Sequence, residues 1–269
     1  MNAVSSVWAE AYCTMLTLQV EALWRHEQPI LTSLPEFAAA STIVDLGAGN
    51  GAFGRRLAAE YPDKRFLGVE PDAAIYDVAS RSVFPANYEY VHAGWESVAG
   101  EHDLLLARLV IMYVPDRKAL YAWAREHVHA AIVVNAEDTA ATMIPEPVLA
   151  TVAIRDGIRT RADELASTHA GDRDLAAMPA EWTAAGFAPS GSWTVLADLS
   201  RPADRRIYHH MTRLIVQGVN PEALSLALLN ELYECSIDPD GRLTIGLTYH
   251  AFRNISAANP QQLVDPVVA

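Results

Sequence analysis

Between residues 41 and 137 short apolar runs alternate with amphipathic stretches, and that alternation decides what this chain can fold into. The runs are STIVDLG (41–47), KRFLGVE (64–70), NYEYVHA (87–93), HDLLLARLV (102–110) and HAAIVVNAE (129–137), all strand-sized. Helix-like stretches over 51–61 and 71–81 lie between the first three. Strands alternating with helices imply right-handed βαβ crossovers and a parallel sheet. Ile43-Val44 and Ile132-Val133-Val134 are continuously apolar rather than alternating, as strands covered on both faces are. Two later runs, SGSWTVLADL (190–199) and RLTIGLTYHAF (242–252), bring the count to seven strands. The expectation is a doubly wound α/β fold with a mostly parallel seven-stranded sheet.

The flanks read as helical. Residues 4–25 place Trp8, Tyr12, Met15 or Leu16, Gln19 and Leu23 on one helix face, and Pro29 and Pro35 are expected to break the chain. Pro71 suits the first turn of the helix over 71–81, where a missing N–H costs nothing. The pattern predicts two short helices over 145–177 with a polar turn at His169-Ala170-Gly171-Asp172, and a helix over 177–187 closed by Gly186. Further helices are expected over 202–216 and 221–234, a tight turn at Asp238-Pro239-Asp240-Gly241, and a loose tail from 259. Residues 1–40 would form a helical lid, and 41–269 a core with a helical cap insertion at about 138–178.

Composition narrows the partners. The formal net charge is −13 over 269 residues, and a surface that acidic repels phosphate backbones, so nucleic acid is disfavoured. The most basic stretch, RDGIRTR (155–161), is interrupted by Asp156 and reads as a solvated helix face. No apolar run approaches the roughly 18–20 residues that span a bilayer, and Met1 to Glu10 lacks the basic flank of a secretory signal, so a cytoplasmic protein without a membrane partner is expected. Cys13 and Cys235 form no CxxC pair and read as buried or half-buried thiols. No HxE, HExxH or spaced Cys/His set is present, so no metal site is expected. A small molecule leads as partner, and a homodimer is compatible with the sequence.

The chemistry concentrates in Val44-Asp-Leu-Gly-Ala-Gly-Asn-Gly51, where a strand turns into a helix. Gly49-Asn50-Gly51-Ala52-Phe53-Gly54 matches the GxGxxG fingerprint of dinucleotide sites, which lay a pyrophosphate on a helix N-terminus. Shifted by one step, Asp45-x-Gly47-x-Gly49-x-Gly51 resembles the glycine-rich loop of class I S-adenosylmethionine (SAM)-dependent methyltransferases. A diphosphate wants N–H donors and no carboxylate, whereas the ammonium and sulfonium of SAM are drawn to Asp45. Glycines let the backbone approach a ligand without a Cβ in the way. The next strand ends at Glu70, nineteen positions after Gly51, where a carboxylate can accept both hydroxyls of a ribose. NAD enzymes also use an acid there, so Glu70 argues for SAM only together with Asp45. Asp72 is expected to cap or start the following helix.

With VDLGAGNG (44–51), GVEP (68–71) and HDLLLARLVIMYVPD (102–116), the chain resembles the class I, Rossmann-like SAM-dependent methyltransferases of small-molecule type, over about 41–137. The resemblance implies that Asp45 and Gly47 lie near the methionine part of SAM, with Ala48 and Asn50 also among the cofactor-binding residues. Gly49 and Gly51 would line its pocket and Glu70 would hold the ribose, with Pro71 also among the cofactor-binding residues. Gly94-Trp95-Glu96 would flank the adenine, although the family often has Asp after that glycine and Trp95 stands there instead. Ala107 and Arg108 would sit at the sulfonium end. The two late strands would form the family's antiparallel hairpin.

Methyl transfer is an in-line displacement, so the protein needs alignment, a dry pocket and sometimes a base. Glu137 and Asp138 at the end of the fifth strand, Tyr113, and His169 in the cap are candidates for a base or a substrate contact; a capping or solvated role competes for the acid pair and a structural or exposed one for His169. Trp8 and Tyr12 either form a substrate lid or staple the first helix to the core. Arg108 needs a carboxylate from SAM, substrate or protein. His209 and His210 are expected on a helix surface. Besides a methyltransferase acting on an O, N or C nucleophile, in specialised metabolism for instance, the sequence admits other readings. These are a SAM-fold enzyme catalysing cyclisation or decarboxylation, a non-catalytic SAM-binding module, and an NAD oxidoreductase, the last disfavoured by Asp45.

Overall fold

The computed structural model describes residues 3–160 and 175–255. A 31-residue helix, α1 (Ala3–Ser33), and the short α2 (Pro35–Ala39) lead into β1 (Thr42–Leu46). There follow α3 (Ala52–Glu60), β2 (Arg65–Glu70), α4 (Ala73–Ala79), β3 (Tyr88–His92), β4 (His102–Arg108), α5 (Arg117–His127) and β5 (Val128–Ile144). The rest is α6 (Val148–Thr160), α7 (Met178–Ala184), β6 (Phe187–Asp198), α8 (Pro202–Val219), α9 (Leu226–Ile237) and β7 (Arg242–Asn254).

One sheet takes all seven strands in the order β3-β2-β1-β4-β5-β7-β6. The first five are parallel, and β7 inserts antiparallel between β5 and β6. The doubly wound fold and the terminal antiparallel pair are therefore as the sequence indicates. Between β1 and β4 the strand order reverses, and in open α/β sheets ligands bind beyond the strand ends at such a switch point. Ile43, Phe66, Leu104, Ile132 and Val134 face a core shared with α1, α2 and α3. Val44, Val69, Leu105, Ala107 and Val133 face a second core with α5 and α7. This two-sided burial explains the unbroken apolar runs.

Several boundaries differ from expectation. α1 does not stop at Pro29 but runs through it to Ser33. Proline removes a helix hydrogen bond, yet Leu31 and Leu34 beyond it are almost wholly buried, and their packing outweighs that loss. Pro35 does restart the chain, as the first residue of α2. Pro71 is not in the first turn of α4; Asp72 is the N-cap, accepting from the backbone N–H groups of Ala74 (2.8 Å) and Ile75 (3.0 Å). β5 continues to Ile144 because β7 supplies partners past a bulge between Glu137 and Thr142. Pro221 begins a single 3-10 turn, and α9 starts after Ser225, whose hydroxyl accepts from Leu228 N–H. Gly186 follows α7 at φ +98°, the left-handed position expected of it. Both cysteines are free and buried.

Candidate functional site

The loop from β1 to α3 turns on three glycines with positive φ: Gly47 (58°), Gly49 (58°) and Gly51 (70°). Residues with a Cβ resist that region, so the motif's spacing is dictated by backbone geometry. Ala48 N–H donates to Val69 O and Gly51 N–H to Ala48 O, which ties the loop to the end of β2. Asn50 Oδ1 accepts from Ala52 N–H at 3.0 Å and so serves the first turn of α3.

Parallel register places Asp45 beside Gly68 and Leu106, and Glu70 two residues beyond Gly68. Asp45, Glu70 and Arg108 thereby share one face of the sheet. Glu70 is 6% exposed; its Oε2 accepts from Gly49 N–H at 2.8 Å and its Oε1 from Asp72 N–H at 2.9 Å. Asp45 is 4% exposed, and its Oδ2 accepts from the Tyr88 hydroxyl at 3.1 Å. Burial pushes the Asp45 carboxyl up to about 6, with the Tyr88 hydrogen bond and the Arg108 charge pulling the other way. Burial likewise pushes Glu70 up to about 7, against the N–H groups of Asp72 and Gly49. Two costly carboxyl groups therefore flank the glycine loop.

Arg108 pairs with protein rather than standing open. Its Nε and Nη2 bind Glu27 Oε1 and Oε2 at 2.8 and 2.7 Å, and Nη1 donates to Gln19 Oε1 at 3.0 Å. Its guanidinium lies over the Phe53 ring at 4.6 Å. Ala107 faces the opposite core.

Helix α1 lies across the loop. Asn50 Nδ2 donates to Cys13 O at 2.6 Å and Thr17 Oγ1 at 2.7 Å, and Leu16 Cδ1 would stand 2.5 Å from a Cβ on Gly49. Trp8 and Tyr12 stack at 5.1 Å, and Trp8 lies against Gly218 of α8. Tyr12 is close enough to Glu70 and Tyr113 for their charges to add to burial in raising its phenol. Tyr113, in a 3-10 turn after β4, is 37% exposed.

Gly94 precedes a 3-10 turn containing Trp95 and Glu96. Trp95 is half-buried with its ring 6.0 Å from that of Trp123, and Glu96 is exposed. Pro71 is exposed, and its carbonyl meets His92 Nε2 at 3.1 Å. Glu137 and Asp138 lie within β5, but their side chains fall outside the described part, and His169 lies outside the described residues altogether. His209 is not on the surface as expected: it is 4% exposed, and burial together with Arg205 lowers it to about 4, so it stays neutral in the core. His210 is exposed.

Sequence reasoning missed Glu27, Tyr88 and Tyr90, whose hydroxyl donates to Gly49 O at 2.6 Å. The only sequence signal for Tyr88 and Tyr90 is their period-2 spacing on a strand beside the loop. Among the described residues no group of three His, Cys, Asp or Glu side chains can hold a metal, and no helix is long and apolar enough to cross a membrane.

No protein-family model matches the chain, and no curated protein sequence matches it. Its fold is that of a crystal structure described as a methyltransferase from an antibiotic biosynthesis pathway of Anabaena variabilis, at TM-score 0.52 and 12% identity over 85% of this chain and 96% of that one. A protein of Galdieria sulphuraria described as a sarcosine dimethylglycine methyltransferase overlaps 87% of this chain and 85% of its own at 13% identity and TM-score 0.49. A cyclopropane synthase of Mycobacterium tuberculosis overlaps 79% and 78% at 15% identity and TM-score 0.47. The first establishes the architecture.

Proposed function

We propose that this chain binds SAM at the β1–α3 loop and transfers its methyl group to an O, N or C nucleophile of a small molecule. The observation that carries the reading is the pair of desolvated carboxyls, Asp45 and Glu70, flanking three left-handed glycines at the sheet's switch point. Acids raised by burial recover their charge most readily beside a cation, and SAM carries an ammonium and a sulfonium. A diphosphate would meet two like charges there. Asp45 would hold the methionine ammonium, Glu70 the ribose, and Trp95 the edge of the adenine. SAM, when bound, supplies a methyl group on positive sulfur, so the chain's own work is to align the acceptor and exclude water.

In this reading α1 is the lid over that site, with Trp8, Tyr12 and Tyr113 facing the acceptor. Glu137, Asp138 and His169 are candidates to orient or deprotonate it. Arg108 acts through Glu27 to seat the lid rather than by touching the sulfonium directly.

Titration calorimetry tests the proposal. SAM and S-adenosylhomocysteine should bind at micromolar strength and NADH should not, and Asp45→Ala should abolish binding. Binding of NADH in preference to S-adenosylhomocysteine would overturn the reading. Formation of S-adenosylhomocysteine with a panel of phenols, amines and enols would then identify the acceptor, whereas intact SAM after turnover of a substrate would mean a non-methylating reaction.

A further inference from the structure

Gly68 lies in the middle of β2 and Gly54 inside α3, positions where glycine weakens a strand or helix. Neither has positive φ, so backbone freedom explains neither. A Cβ on Gly68 would stand 2.1 Å from the Tyr88 hydroxyl oxygen and 2.7 Å from its Cζ. A Cβ on Gly54 would stand 2.3 Å from Tyr88 Cε2 and 2.5 Å from Asp45 Oδ2. Both glycines clear the path of one side chain. Tyr88 leaves β3, the edge strand, crosses β2 over Gly68, and donates to Asp45 on β1. Phe66 and Phe84 hold its ring by stacking at 6.3 and 5.5 Å. Among the described residues Asp45 is the sole hydrogen-bond partner of the Tyr88 hydroxyl, and Asp45 Oδ1 accepts no hydrogen bond.

We propose that Tyr88 is a positioning residue: its hydroxyl fixes one oxygen of Asp45 and leaves the other to receive the cationic part of the bound nucleoside. The proposal rests on the SAM reading above. It explains three local sacrifices by one contact: two glycines inside regular elements and a buried phenol. The charged and titratable groups around the pair are Glu70 on β2, Tyr90 on β3, Arg108 on β4, and Arg55 on α3, which faces Tyr88. Of these only Arg108 favours the ionised carboxylate, as the Tyr88 hydrogen bond also does, and Arg108 is already engaged by Glu27.

The test is Tyr88→Phe, which keeps the stacked ring and removes only the hydroxyl. Carbon-detected NMR titration of the ligand-free protein should show the Asp45 midpoint rising by about one pH unit. S-adenosylhomocysteine affinity should fall roughly 3-fold near pH 6.5 and recover toward the wild-type value at pH 8.5, following the displaced midpoint. A merely structural role gives an unmoved midpoint and an equal loss at every pH, and that outcome overturns the proposal. If the wild-type protein binds no S-adenosylhomocysteine, the SAM reading fails separately. The NMR midpoint then decides alone whether Tyr88 governs Asp45, and an unmoved one overturns it.

Discussion

If the proposed site is right, Asp45 and Glu70 should make stability and binding depend on pH in opposite senses. Both carboxyls sit above their ordinary values of 3.8 and 4.5, at about 6 and about 7. The folded state therefore holds more protons than the unfolded one between about pH 4 and 7, and stability falls as pH rises through that window. The contribution of each group is at most about 3 kcal/mol. Thermal melts of the ligand-free protein should drop from pH 5 to pH 7.5 and then level off, and Asp45→Asn should flatten part of the decline. A cation placed beside the two acids draws their protons off, so binding should strengthen with rising pH. Calorimetry near pH 6.5, in buffers of different ionisation enthalpy, should register proton release when SAM binds. These two acids were legible in the sequence because strand-end spacing fixes them. Their partners were not. Tyr88 lies 43 positions from Asp45 and Glu27 lies 81 from Arg108, and only strand order and the packing of α1 bring them together.

At the scale of elements, glycine propensity and packing pull against each other in α3. Gly54→Ala would ordinarily stabilise a helix interior by about 1 kcal/mol. Here the added carbon meets Tyr88 and Asp45 inside 2.6 Å, so the substitution should destabilise, by about 1–3 kcal/mol in urea unfolding. The seat of α1 is the buried pair of Arg108 and Glu27, whose side chains are 7% and 1% exposed. Glu27→Gln strands the guanidinium and should cost about 3 kcal/mol, with faster hydrogen exchange concentrated over α1. The sequence pattern gave the order and kind of nearly every element, since those follow from hydrophobic period and turn chemistry. Ends were harder. α1 survives Pro29 and β5 outlasts Glu137 because of neighbours distant in sequence: the core around Leu31 and the long partner β7.

For the whole molecule, a net charge of −13 sets the long-range field. Under the SAM proposal that field favours a sulfonium over a neutral thioether, so affinity for SAM relative to S-adenosylhomocysteine should fall as salt rises, by calorimetry between 20 mM and 500 mM salt. The general architecture was readable because both faces of the central strands are buried. How the first helix sits was not, since its apolar positions fit a staple as well as a lid and favour the staple slightly. A nucleoside resting on bare Gly49 and the side chain of Leu16 would claim the same few ångströms. Uptake would then begin with the departure of a leucine, and the strength measured in solution would be the intrinsic one diluted by the fraction of molecules in which that leucine has stepped aside. Shortening it, Leu16→Ala, should speed association in stopped-flow mixing and tighten the equilibrium several-fold, making the protein a better receptor by trimming it.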